Sequence, residues 1–227
     1  MVKNFQIAFL TIRLLDIIDI RVAKYKLISE FLISLRPLRF GKMKIKDLEF
    51  ELLIPEQEIK QKIRVLAEGV NSDYADKTPV FLPILNGSFM FSADLLKVIS
   101  IPCRISFVKI SSYSGTSSTG QIKTLIGLEE SLFNQDIIIV EDIVDTGLTL
   151  QKLIEELKSL GTKSVEVISL LRKRPAREKE IHVKYVGFEI ENEFVVGYGL
   201  DYDGLGRNLV DIYKTDPQNV LKPDSQA

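Results

Sequence analysis

The apolar residues of this chain fall into short continuous runs and into runs with helical spacing. Short apolar runs bounded by turn-forming residues predict buried strands, whereas apolar residues three or four positions apart predict helices that bury one face. Strands are predicted at residues 79–85, 105–110, 137–140, 165–171, 184–188 and 194–198. Helices are predicted at residues 55–70, 89–98 and 150–160. This alternation predicts an α/β fold, a mostly parallel sheet with helices on both faces.

Residues 137–149 combine a buried strand with an acidic pair and a short loop. Four consecutive apolar residues are followed by Glu141 and Asp142, and Gly147 then allows a tight turn. Threonine hydroxyls and free backbone amides lie at the start of the next helix, which suits a bound phosphate. Ligands of open α/β sheets bind at the carboxyl ends of the strands. The run therefore predicts a pocket for a phosphorylated sugar, with carboxylates on its hydroxyls.

Composition narrows the class of protein. The chain has 227 residues, of which 45% are hydrophobic and 27% charged, as expected for one α/β domain with a sizeable core. A net charge of −1 provides no general attraction for nucleic acid. Cys103 is the only cysteine, which excludes an intrachain disulfide and fits a reducing, cytoplasmic location. His182 is the only histidine, so any site that needs two histidines is excluded.

Residues 1–42 are expected to lie outside the catalytic domain, which we place at residues 43–227. Charged residues interrupt the apolar ones there, so neither a secretory signal nor a membrane-spanning helix is predicted. We expect Met43 to be the natural start and the preceding residues to be an upstream extension with little function. An amphipathic helix on a partner or membrane surface is the alternative.

The run Glu141-Asp142-Ile143-Val144-Asp145-Thr146-Gly147-Leu148-Thr149 resembles the phosphoribosyl-pyrophosphate fingerprint of type I phosphoribosyltransferases. Its form is most similar to the hypoxanthine (hypoxanthine-guanine) branch of that family. Four further segments, at residues 85–88, 111–120, 170–174 and 193–202, resemble the same family in the expected order. The resemblance covers about residues 43–213 and implies the type I phosphoribosyltransferase fold, with a small hood and a flexible lid loop. A strand at residues 122–125 is expected to close a flap.

The resemblance also implies a role for individual residues. The ribose and its 5′-phosphate would be held by Glu141, Asp142, Asp145, Thr146, Gly147, Leu148 and Thr149. Pyrophosphate would be held by Asn86, Gly87, Ser112, Tyr113 and Arg207, of which Ser112 and Tyr113 lie in the lid. The purine would be held by Lys173, Phe194, Val195 and Asp201. Magnesium would be held by Glu141, Asp142 and Asp201.

The first pyrophosphate loop of the family often contains a non-proline cis peptide bond, and a basic residue is common where this chain has Asn86. Binding there is mainly through backbone amides, so the role of the loop is expected to survive. The charge that a basic residue would supply is missing at this position.

The activity implied is magnesium-dependent transfer of the 5-phosphoribosyl group from phosphoribosyl pyrophosphate to hypoxanthine or guanine, giving IMP or GMP and pyrophosphate. Asp145 would act as general base, and Lys173 would hydrogen-bond the exocyclic oxygen of a 6-oxopurine, which disfavours adenine. A homodimer or homotetramer is expected. Two alternatives stay open: a transferase that prefers xanthine, and a phosphoribosyl-pyrophosphate-sensing RNA-binding regulator of the same fold. The nearly neutral charge gives the regulator little support.

Overall fold

The computed structural model describes residues 42–111, 123–124, 131–174 and 181–215. The strands are β1 (Met43–Ile45), β2 (Leu48–Ile54), β3 (Val80–Leu85), β4 (Arg104–Ile105), β5 (Val108–Ser111), β6 (Lys123–Thr124), β7 (Asp136–Val144), β8 (Ser164–Lys173), β9 (Tyr185–Ile190), β10 (Val195–Val196) and β11 (Ile212–Thr215). The helices are α1 (Glu56–Asp73), α2 (Phe89–Val98) and α3 (Leu148–Ser159).

The larger sheet has the strand order β6-β5-β3-β7-β8-β9, and β4 also pairs with β3. All of its strand pairs are parallel except β5 with β6. The predicted mostly parallel sheet is therefore confirmed. Strand β6 lies within the short strand expected at residues 122–125.

Strand β7 is buried because helices cover both faces of the sheet. Ile138 and Val140 pack with residues of α1 and α2, whereas Ile137 and Ile139 pack with residues of α3. Alternate residues of a strand point to opposite faces, so one apolar run contributes to both halves of the core. The continuous run of four apolar residues in the sequence is explained by this two-sided burial.

The strand predicted at residues 105–110 is interrupted. Both β4 and β5 pair with β3, but β4 pairs near Phe81 and β5 pairs near Ile84. Pro83 lies between these two positions, and Phe81, two residues earlier, accepts a hydrogen bond from Ser106 N at 3.0 Å. Alternate residues of a strand direct their backbone groups to the same neighbouring strand, so Pro83 faces the interruption between β4 and β5. Proline has no N–H to donate there. The ladder therefore breaks there.

The smaller sheet, which we call the hood, has the order β1-β2-β11-β10 and is antiparallel throughout. Its inner side chains, Ile45, Phe50, Val196 and Tyr213, form a separate small cluster. The expected hood is therefore present. Strands β1, β2 and β11 were not predicted individually, although apolar residues alternate along β2 as a half-buried strand requires.

Several predictions fall on residues that the structure does not describe. These are the extension at residues 1–41, most of the lid loop with Ser112 and Tyr113, and the last residues from 216 onward. None of the helices in the described ranges combines the length and the hydrophobicity of a membrane-spanning segment.

Candidate active site

The candidate site lies where three neighbouring parallel strands end. Strands β3, β7 and β8 are adjacent in the sheet and finish at Leu85, Val144 and Lys173. Each is followed by a segment that the sequence singled out for ligand binding. Since the carboxyl ends of parallel strands share one edge of the sheet, the fold brings these segments together.

Asp145 and Lys173 form an ion pair at this edge. Val144 of β7 pairs with Arg172 of β8, so the residues that follow each of them lie side by side. Lys173 Nζ lies 2.9 Å from Asp145 Oδ2. The Asp145 side chain is 59% exposed and that of Lys173 15% exposed, so the carboxylate faces the solvent side of the pair. The proposed general base and the proposed purine contact are thus neighbours.

The predicted phosphate loop leads directly into α3. Gly147 has a φ of 72°, and a β-carbon there would lie 2.5 Å from Ile181 Cδ1, so this position suits glycine alone. Thr146, Leu148 and Thr149 are exposed. No described side chain caps the helix, and its first amides are therefore available to an anion. The loop has the form of a phosphate cradle.

Glu141 and Asp142 form a largely buried acidic pair. Burial, reinforced by the charge of Asp142, raises the pKa of Glu141 well above its usual range. Burial raises the pKa of Asp142 to about 6, despite a 2.9 Å hydrogen bond from Ile143 N and the nearby charge of Arg207. Glu141 Oε2 has no hydrogen-bond partner among the described residues. Within the described ranges, this Glu141 oxygen therefore lacks a donor, which a sugar hydroxyl or a cation could replace.

We expect Glu141→Gln to stabilise the protein in a pH-dependent way. The folded-state pKa of Glu141 lies above its unfolded value of about 4.3, so keeping it ionised costs folding free energy as pH rises through the folded pKa. Glutamine cannot ionise. The variant should therefore match the wild type near pH 4 and exceed its free energy of unfolding by on the order of 1–3 kcal/mol at pH 8. Urea unfolding at several pH values measures this; a difference independent of pH would contradict it.

The predicted pyrophosphate loop is packed tightly on both sides. The Leu85–Asn86 peptide bond is cis, as the resemblance implied, and the Asn86 side chain is exposed. A β-carbon at Gly87 would lie 1.6 Å from Asp142 Oδ2. One at Gly199 would lie 2.0 Å from the carbonyl oxygen of Gly87. The backbone at Gly87 therefore lies between the acidic pair and the hood.

Arg207 and Asp201 face the same loop from the hood. Arg207 Nη2 lies 2.6 Å from Asp201 Oδ1, and Nη1 donates to the Gly199 carbonyl oxygen at 2.7 Å. Asp201 Oδ2 accepts a 2.7 Å hydrogen bond from Gly204 N. Both charges act on the Asp142 carboxyl, Arg207 lowering its pKa and Asp201 raising it. The structure thus brings the predicted pyrophosphate arginine and metal carboxylate to one place.

The predicted magnesium ligands do not form a complete protein site. Among the described residues, no three histidine, cysteine, aspartate or glutamate side chains converge to hold a metal. Magnesium usually takes one or two carboxylates and completes its shell with water and substrate phosphates. The unpartnered oxygen of Glu141 and the raised pKa of Asp142 fit such a partial site, so magnesium at Glu141, Asp142 and Asp201 stays a prediction.

Phe194, the predicted purine platform, lies in an aromatic group of the hood. Its ring centroid lies 6.2 Å from that of Phe50 and 5.7 Å from that of Tyr202, the latter edge to face. The side chain is 43% exposed, so part of the ring is available for stacking. Val195 is buried in β10 and can offer only backbone groups.

Gly199 and Tyr202 are site residues whose roles the sequence did not identify. Gly199 allows the hood to approach Gly87, and Tyr202 supports Phe194. The closely spaced glycines at positions 197 and 199 were the available signal, because such spacing often marks close backbone approach.

Comparisons with known proteins agree with this geometry. The model of the phosphoribosyl transferase domain matches residues 53–203. Hypoxanthine-guanine phosphoribosyltransferase of Staphylococcus aureus is 43% identical over 77% of this chain and 94% of its own. That of Staphylococcus epidermidis is 44% identical over 72% of this chain and 92% of its own.

Solved structures of similar enzymes show the same fold. A hypoxanthine-guanine phosphoribosyltransferase of Bacillus anthracis, with HEPES in its active site, has a TM-score of 0.68 at 36% identity and covers 72% of this chain and 97% of its own. A lysine-to-arginine mutant of the Trypanosoma cruzi hypoxanthine enzyme, bound to IMP, has a TM-score of 0.70 at 35% identity and covers 78% and 94%. The chain belongs to the hypoxanthine-guanine phosphoribosyltransferase family.

Proposed function

We propose that this protein transfers the 5-phosphoribosyl group from phosphoribosyl pyrophosphate to hypoxanthine or guanine in purine salvage. The observation that carries the proposal is the Asp145–Lys173 ion pair at the start of the predicted phosphate loop. The charged atoms of the pair lie 2.9 Å apart. Lys173 would serve as a base-reading cation and Asp145 as a proton acceptor next to the predicted sugar-phosphate site. The family relationship supports the same activity.

A neighbouring cation and carboxylate would suit one edge of a 6-oxopurine. The O6 and N7 atoms are neighbours on that edge. Lys173 would donate to O6, and Asp145 would accept a hydrogen bond from a protonated N7. Adenine carries an amino donor in place of O6, so the Lys173 ammonium would face a second donor and find no acceptor. Phe194 would stack on the face of the base.

The chain's own residues hold the sugar for attack. Amides and hydroxyls of residues 145–149 would bind the 5′-phosphate, and Glu141 and Asp142 would accept hydrogen bonds from the ribose hydroxyls. As the bond to pyrophosphate breaks, positive charge develops on the sugar, and these carboxylates would stabilise that charge. The chemistry that magnesium supplies when bound is neutralisation of charge on the leaving pyrophosphate.

Asp145 would remove the proton from the base. Transfer of that proton to its carboxylate increases the electron density on the imidazole ring of the purine, whose nitrogen attacks the sugar. Lys173 holds Asp145 in position through the 2.9 Å ion pair. The two residues therefore act on one edge of the substrate in related steps.

Turnover with separate bases tests the proposal. The protein is incubated with phosphoribosyl pyrophosphate, magnesium and one base at a time: hypoxanthine, guanine, xanthine or adenine. We expect IMP and GMP to form readily and AMP not to form. Absence of nucleotide with every base would refute the proposal and favour the RNA-binding alternative, whereas faster turnover of xanthine would favour the xanthine alternative.

Lys173→Ala is expected to raise the KM for hypoxanthine by about 10- to 100-fold, since a hydrogen bond to a charged group is worth about 1.5–3 kcal/mol. The KM for phosphoribosyl pyrophosphate should change far less. Arg174→Ala is the matched control, because this exposed arginine of the same basic run pairs with Glu191. Steady-state kinetics with each substrate varied in turn measures both constants. Equal increases in the two constants would contradict the assigned role.

A homodimer or homotetramer and a cytoplasmic location stay predictions. The C-terminal region of the Trypanosoma cruzi enzyme has been studied for its effect on oligomeric state and activity. Light scattering of the full chain at several concentrations would give the assembly here.

A further inference from the structure

The hood loop at residues 197–200 has an unusual backbone. Gly197, Tyr198 and Gly199 all have positive φ, with values of 102°, 50° and 102°. Glycine adopts such angles freely, but a bulky residue such as tyrosine does so at a cost. A residue persists in this conformation only where its surroundings hold it there.

Two sets of contacts hold this loop. The backbone amides of all four residues donate hydrogen bonds, with Tyr198 N to Leu209 O at 2.8 Å and Gly199 N to Arg207 O at 2.9 Å. The Tyr198 ring is 1% exposed and packs in the main core rather than in the hood cluster. Its hydroxyl donates to Asp94 Oδ2 at 2.7 Å. Tyr198 thus links this hood loop to helix α2.

Both ends of this hydrogen bond connect to the pyrophosphate loop. Asp94 lies in α2, which begins at Phe89, two residues after Gly87. Tyr198 directly precedes Gly199, whose α-carbon packs against the Gly87 carbonyl oxygen and whose own carbonyl accepts from Arg207. The Tyr198–Asp94 bond therefore completes a continuous set of contacts that connects Gly87 and Arg207 with the hood.

The charge states of Tyr198 and Asp94 favour a stable hydrogen bond between them. Burial and the hydrogen bond to Asp94 raise the pKa of Tyr198, so its hydroxyl stays a neutral donor. Burial alone would raise the pKa of Asp94, but hydrogen bonds from Lys97 and Tyr198 outweigh it and lower the value. An ionised carboxylate that accepts from a buried hydroxyl makes a stronger bond than two neutral groups would.

We propose that Tyr198 is a positioning residue for pyrophosphate binding. Through its hydrogen bond to Asp94 it fixes the distance between the hood and the loop at Gly87. That distance sets the positions of Arg207 and Asp201 relative to the loop. The proposal rests on the proposed function, because its readout is the affinity for phosphoribosyl pyrophosphate. Tyr198 touches no substrate in this scheme; it acts through the residues on either side of Gly87.

Tyr198→Phe tests the proposal, and Tyr185→Phe is its matched control. Tyr185 also donates to an aspartate, Asp73, at 2.7 Å, and each aspartate has a lysine partner at 2.9 Å. Tyr185 lies at the amino end of β9, at the opposite edge of the sheet from the site. Both variants remove one hydroxyl of the same kind, so both should lower the melting temperature to a similar extent.

We expect only Tyr198→Phe to raise the KM for phosphoribosyl pyrophosphate, by about five- to tenfold. The KM for pyrophosphate in the reverse reaction should rise likewise, and the KM for hypoxanthine should stay within about twofold. Asp94→Asn, which keeps an acceptor but removes its charge, should shift the same constants in the same direction. Adding it to Tyr198→Phe should cause little further change, because both act through one bond.

Two results would overturn the proposal. One is an unchanged KM for phosphoribosyl pyrophosphate in Tyr198→Phe, with melting temperature lowered as in the control. The other is an equal rise in the KM of both substrates, which would indicate general loosening. Failure of the wild-type protein to form nucleotide would instead refute the proposed function, so the two failures are distinguishable.

Discussion

Asp145→Asn is expected to lower kcat by about 10²- to 10⁴-fold, the usual contribution of a positioned proton acceptor. Asparagine has the shape of aspartate and can still hydrogen-bond N7, but its amide cannot accept the proton that the purine must lose. The Asp145 side chain is 59% exposed, so its replacement should affect stability little. The KM for phosphoribosyl pyrophosphate should change only a few-fold.

Rapid-quench measurement of a single turnover, with the base saturating, separates this effect from product release. Asp76→Asn is a suitable control, because Asp76 is exposed in the turn after α1, ahead of β3. The same turnover rate in Asp145→Asn as in this control would exclude Asp145 from the chemical step. A loss confined to the KM for hypoxanthine would reduce Asp145 to a binding residue.

The part of the site on β7 was predictable because its signals are local. A strand buried on both faces, an acidic pair and a turn glycine follow one another within residues 137–149, so each supports the interpretation of the next. Lys173 was identified only through the resemblance to the family, and the structure shows that it ends the strand adjacent to β7. The resemblance to a family identified the remaining segments and their order, and neither can be inferred from composition and periodicity.

The contacts that complete the site were not predictable from local pattern. Tyr198 and Asp94 are separated by 104 positions in the sequence, and Gly199 meets Gly87 across a similar distance. Such contacts depend on how the hood closes on the main sheet, which is fixed by tertiary packing. The break opposite Pro83 likewise depends on which neighbour the proline faces, and that is known only once the strand order is known.

Gly87→Ala is expected to lower kcat/KM for phosphoribosyl pyrophosphate by about 100-fold or more. A β-carbon at this position would lie 1.6 Å from Asp142 Oδ2, far inside any real contact. Gly87 is not among the glycines with positive φ, so the effect is steric rather than conformational. Either the Asp142 carboxylate or the loop must move by more than about 1 Å, and displacements of that size cost catalysis about 10²-fold.

The cause of that loss can be separated from general damage to the fold. Gly69→Ala in α1 is the control, because its β-carbon would make only an ordinary 3.5 Å contact with Tyr185, and alanine favours a helix by about 0.5–1 kcal/mol. Combining Gly87→Ala with Asp142→Ala removes the clashing carboxylate. The double variant should recover the unfolding free energy that Gly87→Ala loses, without recovering activity, since Asp142 is itself a proposed ligand of the ribose and magnesium. If stability stays low in the double variant, the contact with Asp142 is not the cause, and the packing of Gly87 against the hood is responsible instead.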